Sequence, residues 1–143
     1  MIVSTKGRYA LRIMIDLAEH QVYEYITLKE IANRQGISEK YLEAIVKQLV
    51  RAKLLSGLRG KGGGYRLSKI PEQYRVGDII RAAEGDLAPV ACLAADAEAC
   101  DQASDCQTLP MWKKLDRLVN DFLDSYSLAD LIDAAQPGDN YVI

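Results

Sequence analysis

Cys92, Cys100 and Cys106 are the only cysteines of the chain, and they lie within 15 of its 143 residues. Thiolates are the standard ligands of iron–sulfur clusters, and soft sulfur ligands gathered in one loop indicate metal binding rather than a disulfide. Seven and five residues separate successive cysteines, which does not match the CxxC pairs of zinc sites. The stretch therefore predicts a metal or cluster site of unknown type, and the alternative is three unrelated small side chains.

A glycine-rich segment, GKGGG at residues 60–64, raises the question of phosphate binding. A Walker loop needs Ser or Thr directly after its Gly-Lys, and Lys61 is followed by Gly62; the dinucleotide motif would need glycine where the chain has Tyr65. The segment instead predicts a hairpin tip with residues at positive φ, where backbone can approach another molecule closely. Arg59 and Lys61 flank this tip, which favours the minor groove of DNA, while an ordinary loose turn is the alternative.

Two helices joined by a tight turn precede the hairpin. Thr27 and Glu30 form a capping box at the start of the first helix, and Gly36 provides its left-handed end. Ser38 caps the second helix, EKYLEAIVKQLVRA, whose apolar residues recur at helical spacing. A helix-turn-helix followed by a hairpin is a winged helix, and we expect its second helix to enter the major groove of DNA with its N-terminus first.

The residues expected to contact DNA lie on this second helix, on the hairpin tip and on the first helix of the chain. Glu43 is the most informative of them, because phosphate groups repel a carboxylate. Glu43 can face DNA only if it stays solvated or accepts a hydrogen bond from cytosine N4. Arg8 and Arg12 are further candidates, either for phosphate contact or as plain surface charge. The main set is Lys6, Ser38, Glu39, Lys40, Tyr41, Glu43, Lys47, Arg59, Lys61, Gly62 and Gly63.

Charge is distributed unevenly along the chain. Residues 1–66 carry 12 Lys and Arg against 6 Asp and Glu, whereas residues 67–143 carry 6 against 14. The basic N-terminal half predicts a polyanion partner, even though the whole chain has a net charge of −2. No apolar run approaches the ~20 residues of a membrane span, and the N-terminus lacks the apolar core of a signal peptide. We therefore expect a cytoplasmic protein with no membrane partner.

The C-terminal part of the chain predicts two further helices around the cysteine loop. VGDIIRAAEG indicates a short helix that ends at Gly85, and a long helix follows Pro110 with apolar residues at i, i+3, i+4 and i+7. Its apolar surface exceeds what one small domain covers, so we expect a homodimer interface made of Met111, Trp112, Leu115, Leu118, Val119 and Phe122. Ser127 caps a last short helix.

The predicted fold class is mainly α with a small β-hairpin, in three parts. Residues 1–85 form a winged helix-turn-helix DNA-binding domain, residues 86–107 form a cysteine-bearing sensor loop, and residues 108–143 form a long dimerisation helix and a C-terminal tail.

Five segments occur in order along the chain: STKGRYALRIMIDLA, ISEKYLEAIVKQL, RGKGGGYRL, VGDIIRAAEG and the three-cysteine loop followed by Trp112. Together they resemble the IscR/NsrR/CymR family of bacterial winged-helix regulators over nearly the whole chain. The resemblance implies a homodimer that binds palindromic promoter DNA, with the long C-terminal helix at the interface. It also implies, as in several members, an iron–sulfur cluster on Cys92, Cys100 and Cys106, while other members carry none.

The fourth ligand is where this chain departs from the family. The cluster sensor that names the family has a histidine three residues after its third cysteine, where this chain has Leu109. Other members take an oxygen ligand from the partner chain at the position of Arg8. Neither side chain is a ligand for iron. Asp105, another loop carboxylate, Asp16 of the partner subunit, His20 of the partner subunit and an exchangeable small molecule are the candidates.

These observations predict a DNA-binding transcriptional regulator, expected to be a repressor, whose DNA binding responds to a cluster. A cluster-free regulator controlled by thiol oxidation or by a protein partner is the alternative within this class. A zinc-stabilised interaction module is the alternative from another class. A cysteine-dependent enzyme needs a base near a thiol, and His20 is the only histidine of the chain. We therefore expect no enzymatic activity.

Overall fold

The computed structural model describes residues 3–20, 24–98 and 100–134 of the chain. Within these residues the elements are α1 (Thr5–His20), α2 (Leu28–Gln35), α3 (Glu39–Arg51), β1 (Leu55–Leu58), β2 (Gly64–Leu67), α4 (Val76–Glu84), α5 (Leu109–Asp124) and α6 (Leu128–Ala134). Short 3-10 turns lie at Pro71–Gln73 and Ala91–Leu93. This order of helices around one hairpin confirms the predicted fold class.

The capping residues predicted from the sequence begin and end the helices of the helix-turn-helix. Thr27 Oγ1 accepts a hydrogen bond from the Glu30 backbone at the start of α2, at 3.2 Å. Gly36 ends α2 in the left-handed conformation, with φ at 65°. Ser38 Oγ then accepts from the Tyr41 backbone at 3.2 Å and starts α3. Each cap satisfies a backbone group that has no partner inside its helix, so the turn between the two helices is fixed locally.

The core lies where α1, α3 and α4 pack together. The buried side chains of α1 and α3 repeat at the helical spacing that the sequence shows, and burying each of them except Ala10 contributes about 1.5–3 kcal/mol relative to leaving it in water. They are Ala10, Ile13, Met14, Leu17, Leu42, Ile45, Val46 and Leu49.

Tyr74 joins the base of the hairpin to this core. Its ring is 1% exposed, and its hydroxyl donates to the Leu54 carbonyl at 2.7 Å. The same oxygen accepts from the backbone of Ser68 at 2.8 Å and of Lys69 at 3.1 Å. Because all three partners are backbone groups at the two ends of the hairpin, one side chain fixes where the wing leaves the domain.

The wing is a two-stranded antiparallel hairpin with Leu55 opposite Leu67 and Leu58 opposite Gly64. Ile26 adds a single bridge to β2, donating to the Tyr65 carbonyl at 2.9 Å and accepting from the Tyr65 backbone at 2.8 Å. The sequence VYEYI at residues 22–26 predicts a short β-like segment, and residues 22 and 23 of it lie outside the described part of the chain.

After α5 the chain returns to the N-terminal core. Leu128 is fully buried there, and its backbone donates to the Tyr74 carbonyl at 3.0 Å. Ser127 and Asp130 cap α6 reciprocally, at 2.8 and 3.1 Å, as expected for Ser127. α5 begins at Leu109, one residue before Pro110. Residues 128–134 therefore pack with the winged helix, and the three-part division of the chain stays a prediction. None of the described helices combines the length and apolarity that crossing a membrane requires.

Candidate nucleic-acid interface and cysteine pocket

The outer face of α3 carries the side chains that sequence analysis placed toward DNA. Glu39, Lys40, Glu43 and Lys47 are all exposed on this face. Lys47 Nζ lies 3.2 Å from Glu43 Oε1, one helical turn away, with both side chains more than half exposed. Such an exposed pair is worth less than about 1 kcal/mol, so it breaks readily when a better partner arrives. Glu43 is thus free to point at a base or at Lys47.

Ser38 and Tyr41 lie at the N-terminal end of α3, next to α1. Ser38 is exposed and caps the helix. Tyr41 is half-buried: its hydroxyl lies 2.9 Å from Thr5 Oγ1, and its ring packs edge-on against Tyr9 with centroids 5.6 Å apart. These contacts fix the position of α3 relative to α1. Tyr41 therefore orients the recognition helix, and its direct contact with DNA stays a prediction.

The tip of the wing has the positive φ angles that its glycines predicted. Gly60 has φ at 93° and Gly62 at 77°. Gly63 is buried, and a Cβ there would lie 2.2 Å from the Leu58 carbonyl, so this glycine allows the turn to close. Arg59 and Lys61 are exposed on either side of Gly60. The result is a narrow basic projection of the size that enters a minor groove.

A groove of about 710 Å³ separates the wing from α3 and the start of α2. Three cationic side chains line it: Lys47 and Arg51 from α3, and Arg59 from the wing. Arg51 was missed by the sequence analysis, because its position near the end of α3 gives no hint that the hairpin folds back beside it. Three cations around one groove form the electrostatic footprint expected for a phosphate backbone.

The basic residues of α1 differ in whether their side chains bind other parts of the chain. Lys6 and Arg8 are exposed. Arg12, also exposed, donates from Nε to Gln35 Oε1 at 2.9 Å and from Nη2 to the Gln35 carbonyl at 2.7 Å. Arg12 therefore binds the C-terminal end of α2, where carbonyl groups lack helical partners. Lys6 and Arg8 form no ion pair with the residues that the structure describes, although the Lys6 charge helps to lower the pKa of Glu84.

The three cysteines line one pocket of about 260 Å³, although they are separated along the loop. Leu109 and Lys113, from the first turns of α5, form one wall, and Glu98 also lines the pocket. Cys92 and Cys100 are exposed and Cys106 is half-buried, all as free thiols. Among the residues that the structure describes, no three Cys, His, Asp or Glu side chains converge closely enough to hold one metal ion.

Cys106 has hydrogen-bond donors next to its sulfur. Its Sγ lies 3.5 Å from Thr108 Oγ1, just before α5 begins. The Thr108 hydroxyl first, and then the backbone N–H groups of Thr108 and Leu109, lower the pKa of this thiol. All three donors stabilise the negative charge on sulfur, which is the form that binds metal and that reacts.

Asp16 is excluded as a ligand for a neighbouring chain. Its side chain is fully buried, and Arg34 contacts it with two nitrogens, the closer at 2.7 Å. Gln35 Nε2 donates to the second oxygen at 2.9 Å. Burial alone would raise the pKa of Asp16, but the hydrogen bonds from Arg34 and Gln35 and the Arg34 charge lower it overall. The carboxylate therefore holds α1 to α2.

A second long-range carboxylate contact links α4 to α1. Glu84 Oε1 accepts from the backbone of Ser4 and of Gly7, each at 2.8 Å, and from the Ser4 hydroxyl. A Cβ on Gly7 would lie 2.8 Å from this oxygen, so only glycine leaves room for the contact. Burial alone would raise the pKa of Glu84, but these hydrogen bonds lower it overall. Glu84 thus caps α1 from 80 residues away, which no local sequence pattern indicates.

A third set of polar contacts joins α4 to α5. Arg81 Nη2 lies 2.8 Å from both oxygens of Asp124, and Arg81 also donates to Asn120 Oδ1. A Cβ on Gly77 would lie 2.0 Å from Asp124 Oδ1, so the two helices approach closely at that glycine. α4, which leads directly into the cysteine loop, is therefore bound to both α1 and α5.

Comparisons with known proteins agree with this architecture. A family model described as Rrf2, iron-dependent transcriptional regulator, matches residues 3–134. The chain is 37% identical over 132 residues to the HTH-type transcriptional regulator IscR of Aliivibrio salmonicida, covering 92% of this chain and 77% of that protein.

Solved structures give the same result. CymR (YrzC), the global cysteine regulator of B. subtilis, has a TM-score of 0.77 at 37% identity and covers 95% of this chain and 99% of its own. T. potens IscR has a TM-score of 0.73 at 36% identity, over 99% of this chain and 93% of its own. These relatives are transcriptional regulators and not enzymes, as expected for this chain. The chain belongs to the Rrf2 family of transcriptional regulators.

Proposed function

We propose that this regulator acts as a homodimer on palindromic promoter DNA, and that an iron–sulfur cluster on Cys92, Cys100 and Cys106 controls its DNA binding. The observation that carries the proposal is that all three thiols line one pocket beside the helix expected to form the dimer. A dimer that covers promoter DNA excludes polymerase, so repression is the expected effect. A further protein partner is left open.

The DNA-binding half of the proposal rests on the spacing of basic groups. Lys47 and Arg51 of α3 and Arg59 of the wing line one groove, and Glu39, Lys40 and Glu43 are exposed nearer the N-terminal end of α3. A recognition helix in the major groove and an arginine in the adjacent minor groove use this surface fully. Two copies related by a two-fold axis then read a palindrome.

The dimer half rests on an apolar stripe on α5, which we define as Met111, Leu115, Leu118 and Phe122. These side chains are 53%, 38%, 67% and 58% exposed in the single chain. Trp112 and Val119, the other predicted interface residues, are half-buried. A stripe of four large apolar side chains on one helix indicates an interaction surface. A second copy of α5 is the partner that covers it symmetrically.

The residues of the pocket fit a cluster by their chemistry. Thiolates are soft ligands that suit cluster iron, and Cys106 is already biased toward the thiolate. All three thiols line one pocket of about 260 Å³, and their spacing along the chain does not match the CxxC pairs of zinc sites, so the proposal takes a cluster rather than zinc. A bound cluster supplies a redox-sensitive centre that holds distant parts of the loop together.

A cluster-free regulator controlled by thiol oxidation is the second candidate. The lowered pKa of Cys106 favours it, because thiolates are the form that oxidants attack. The structural similarity to CymR also favours it. In this case the loop changes when a thiol is oxidised rather than when a cluster is lost.

Anoxic purification followed by iron and acid-labile sulfide assays separates these candidates. The cluster proposal predicts stoichiometric iron and sulfide in the parent and loss of both in Cys92→Ala, Cys100→Ala and Cys106→Ala. Zinc without sulfide would indicate the interaction module, and metal-free protein whose DNA binding changes on mild oxidation would indicate the thiol regulator.

Operator titrations then test the regulatory role. Genomic fragments selected by the anoxic protein supply the operator, and holo-protein, apo-protein and the three cysteine variants are titrated against it. We expect altered affinity or site preference when the cluster is absent, with the dimer retained. Equal affinity and equal site preference in all five proteins would leave the cysteines without a role in DNA binding.

A further inference from the structure

We propose that Glu98, from the same chain as the three cysteines, supplies the fourth ligand of the cluster. This inference rests on the proposed cluster and deepens it, because it names a ligand that neither the family pattern nor the loop spacing provides. It also makes each cluster site complete within one chain.

The position of Glu98 distinguishes it from the other loop carboxylates. Glu98 lines the pocket together with the three thiols. Asp96, Asp101 and Asp105 belong to the same loop and are exposed, as Glu98 is, but they do not line this pocket. Asp86, at the start of the loop, is occupied by hydrogen bonds from the backbone of Ala88 and Ala95. Glu98 is therefore the loop carboxylate that shares a pocket with the three cysteines.

Leu109 and Asp16 cannot serve as the fourth ligand, and His20 does not line this pocket. Leu109 occupies the position of the family's histidine and lines the pocket with an apolar side chain. Asp16 is buried in its own chain against Arg34 and Gln35. His20 Nδ1 lies 2.8 Å from the carbonyl of Asp16, which leaves Nε2 able to bind a metal, but His20 does not line the pocket of its own chain.

The charges around the pocket are consistent with an anionic ligand set. Lys113 lines the pocket and brings a positive charge to a site that would hold three thiolates and one carboxylate. A carboxylate is a harder ligand than a thiolate, so iron that carries it is held less firmly than iron with sulfur ligands alone. One replaceable oxygen ligand makes the cluster sensitive to loss, which suits a sensor.

Full-length Glu98→Gln tests the assignment, with Asp96→Asn and Asp105→Asn as matched controls from the same loop. All proteins are loaded anoxically with iron and sulfide, and the visible circular dichroism and electron paramagnetic resonance spectra of the cluster are recorded. The rate of cluster loss to a chelator is measured in parallel. Far-ultraviolet circular dichroism and sedimentation verify that each variant is folded and assembled as the parent is.

We expect Glu98→Gln to alter both spectra and to hold its cluster at least about tenfold more weakly, because even changes outside a metal's ligand sphere cost about 10–100-fold in affinity. The two controls should match the parent. Glu98→Cys should retain a cluster, with a thiolate-type spectrum, slower loss and a more negative reduction potential. If the Glu98→Gln protein fails to fold, Glu98→Cys still tests the assignment.

Two results overturn the inference in distinguishable ways. If the parent takes up no iron and sulfide, there is no cluster, and the proposed function fails together with the inference. A parent with a cluster whose spectra and loss rate are unchanged in Glu98→Gln leaves the proposed function standing and removes Glu98 as a ligand. In that second case, a spectral change in His20→Ala would assign the ligand to the histidine.

Discussion

Leu118→Asp is the sharpest test of the proposed dimer. Leu118 is 67% exposed in the single chain, the largest fraction in the α5 stripe. Burying a fully exposed leucine contributes about 1.5–3 kcal/mol, so covering two-thirds of one contributes about 1–2 kcal/mol. A two-fold dimer loses this contribution twice, or about 2–4 kcal/mol, which weakens dimerisation roughly 30- to 700-fold. Burying two facing carboxylates adds to the loss.

Sedimentation equilibrium from nanomolar to micromolar concentration measures this change directly. Arg117→Asp is the matched control, because Arg117 is also exposed and its side chain projects about 100° away around α5. It introduces the same carboxylate on the same helix and reverses a charge as well. We expect Leu118→Asp to be monomeric at concentrations where the parent and Arg117→Asp are dimers.

Binding to a palindromic operator should follow the loss of the dimer. Leu118→Asp keeps its recognition helix and wing, so its binding to nonspecific DNA should fall much less than its binding to the operator. An equal dimer dissociation constant for Leu118→Asp and the parent, or a parent that stays monomeric at micromolar concentration, would refute the reasoning about the stripe.

Three further predictions concern DNA contact and stability. Arg59→Ala should weaken operator binding by about 1–3 kcal/mol, whereas Lys61→Ala should mainly reduce the salt dependence; identical salt titrations for both variants and the parent would contradict the wing assignment. Glu84→Gln should lower the free energy of unfolding at pH 7 by about 1 kcal/mol. Because the folded-state pKa of Glu84 lies below the ordinary value of 4.5, this difference should shrink as the pH falls below 4.5 in denaturant titrations, and a pH-independent difference would show that the charge contributes nothing. Tyr74→Phe should cost about 1–3 kcal/mol, since it leaves the buried Leu54 carbonyl without its partner, and an unchanged thermal midpoint would exclude that role.

The sequence predicted those features whose cause is local. Thr27, Gly36 and Ser38 fix the helix-turn-helix through contacts within four residues, so their spacing alone indicated the turn. The hairpin tip followed from glycines that tolerate positive φ. Helical apolar spacing gave the buried faces of α1 and α3, because burial follows the 3.6-residue period directly.

The features that sequence reasoning missed depend on residues that only the fold brings together. Glu84 caps a helix 80 residues away, and Arg81 reaches Asp124 across 43 residues. Glu98 and Arg51 look like ordinary solvated charges until the loop and the hairpin fold back beside them. A charge gives no periodic signal, so its partner is decided by packing. The cysteine loop stood out in the sequence because its residue type is scarce, but the sequence left several candidates open for the fourth ligand of the proposed cluster.

The contacts of α4 explain how a change at the cysteine pocket could reach DNA. The loop leaves the C-terminal end of α4 just after Glu84, and α5 closes the pocket with Leu109 and Lys113. Ordering the loop therefore constrains the C-terminal end of α4 and the N-terminal end of α5, which lie on either side of it. α4 is in turn bound to α5 through Arg81 and to the start of α1 through Glu84. α1 carries Lys6 and packs against α3, while α5 sets the distance between two recognition helices in the proposed dimer. A switch requires an element with two arrangements that a ligand biases differently. α4 is the element that could carry such a bias from the pocket to the DNA-binding surface, because its side-chain contacts to α1 and α5 form where Gly7 and Gly77 let the helices approach closely.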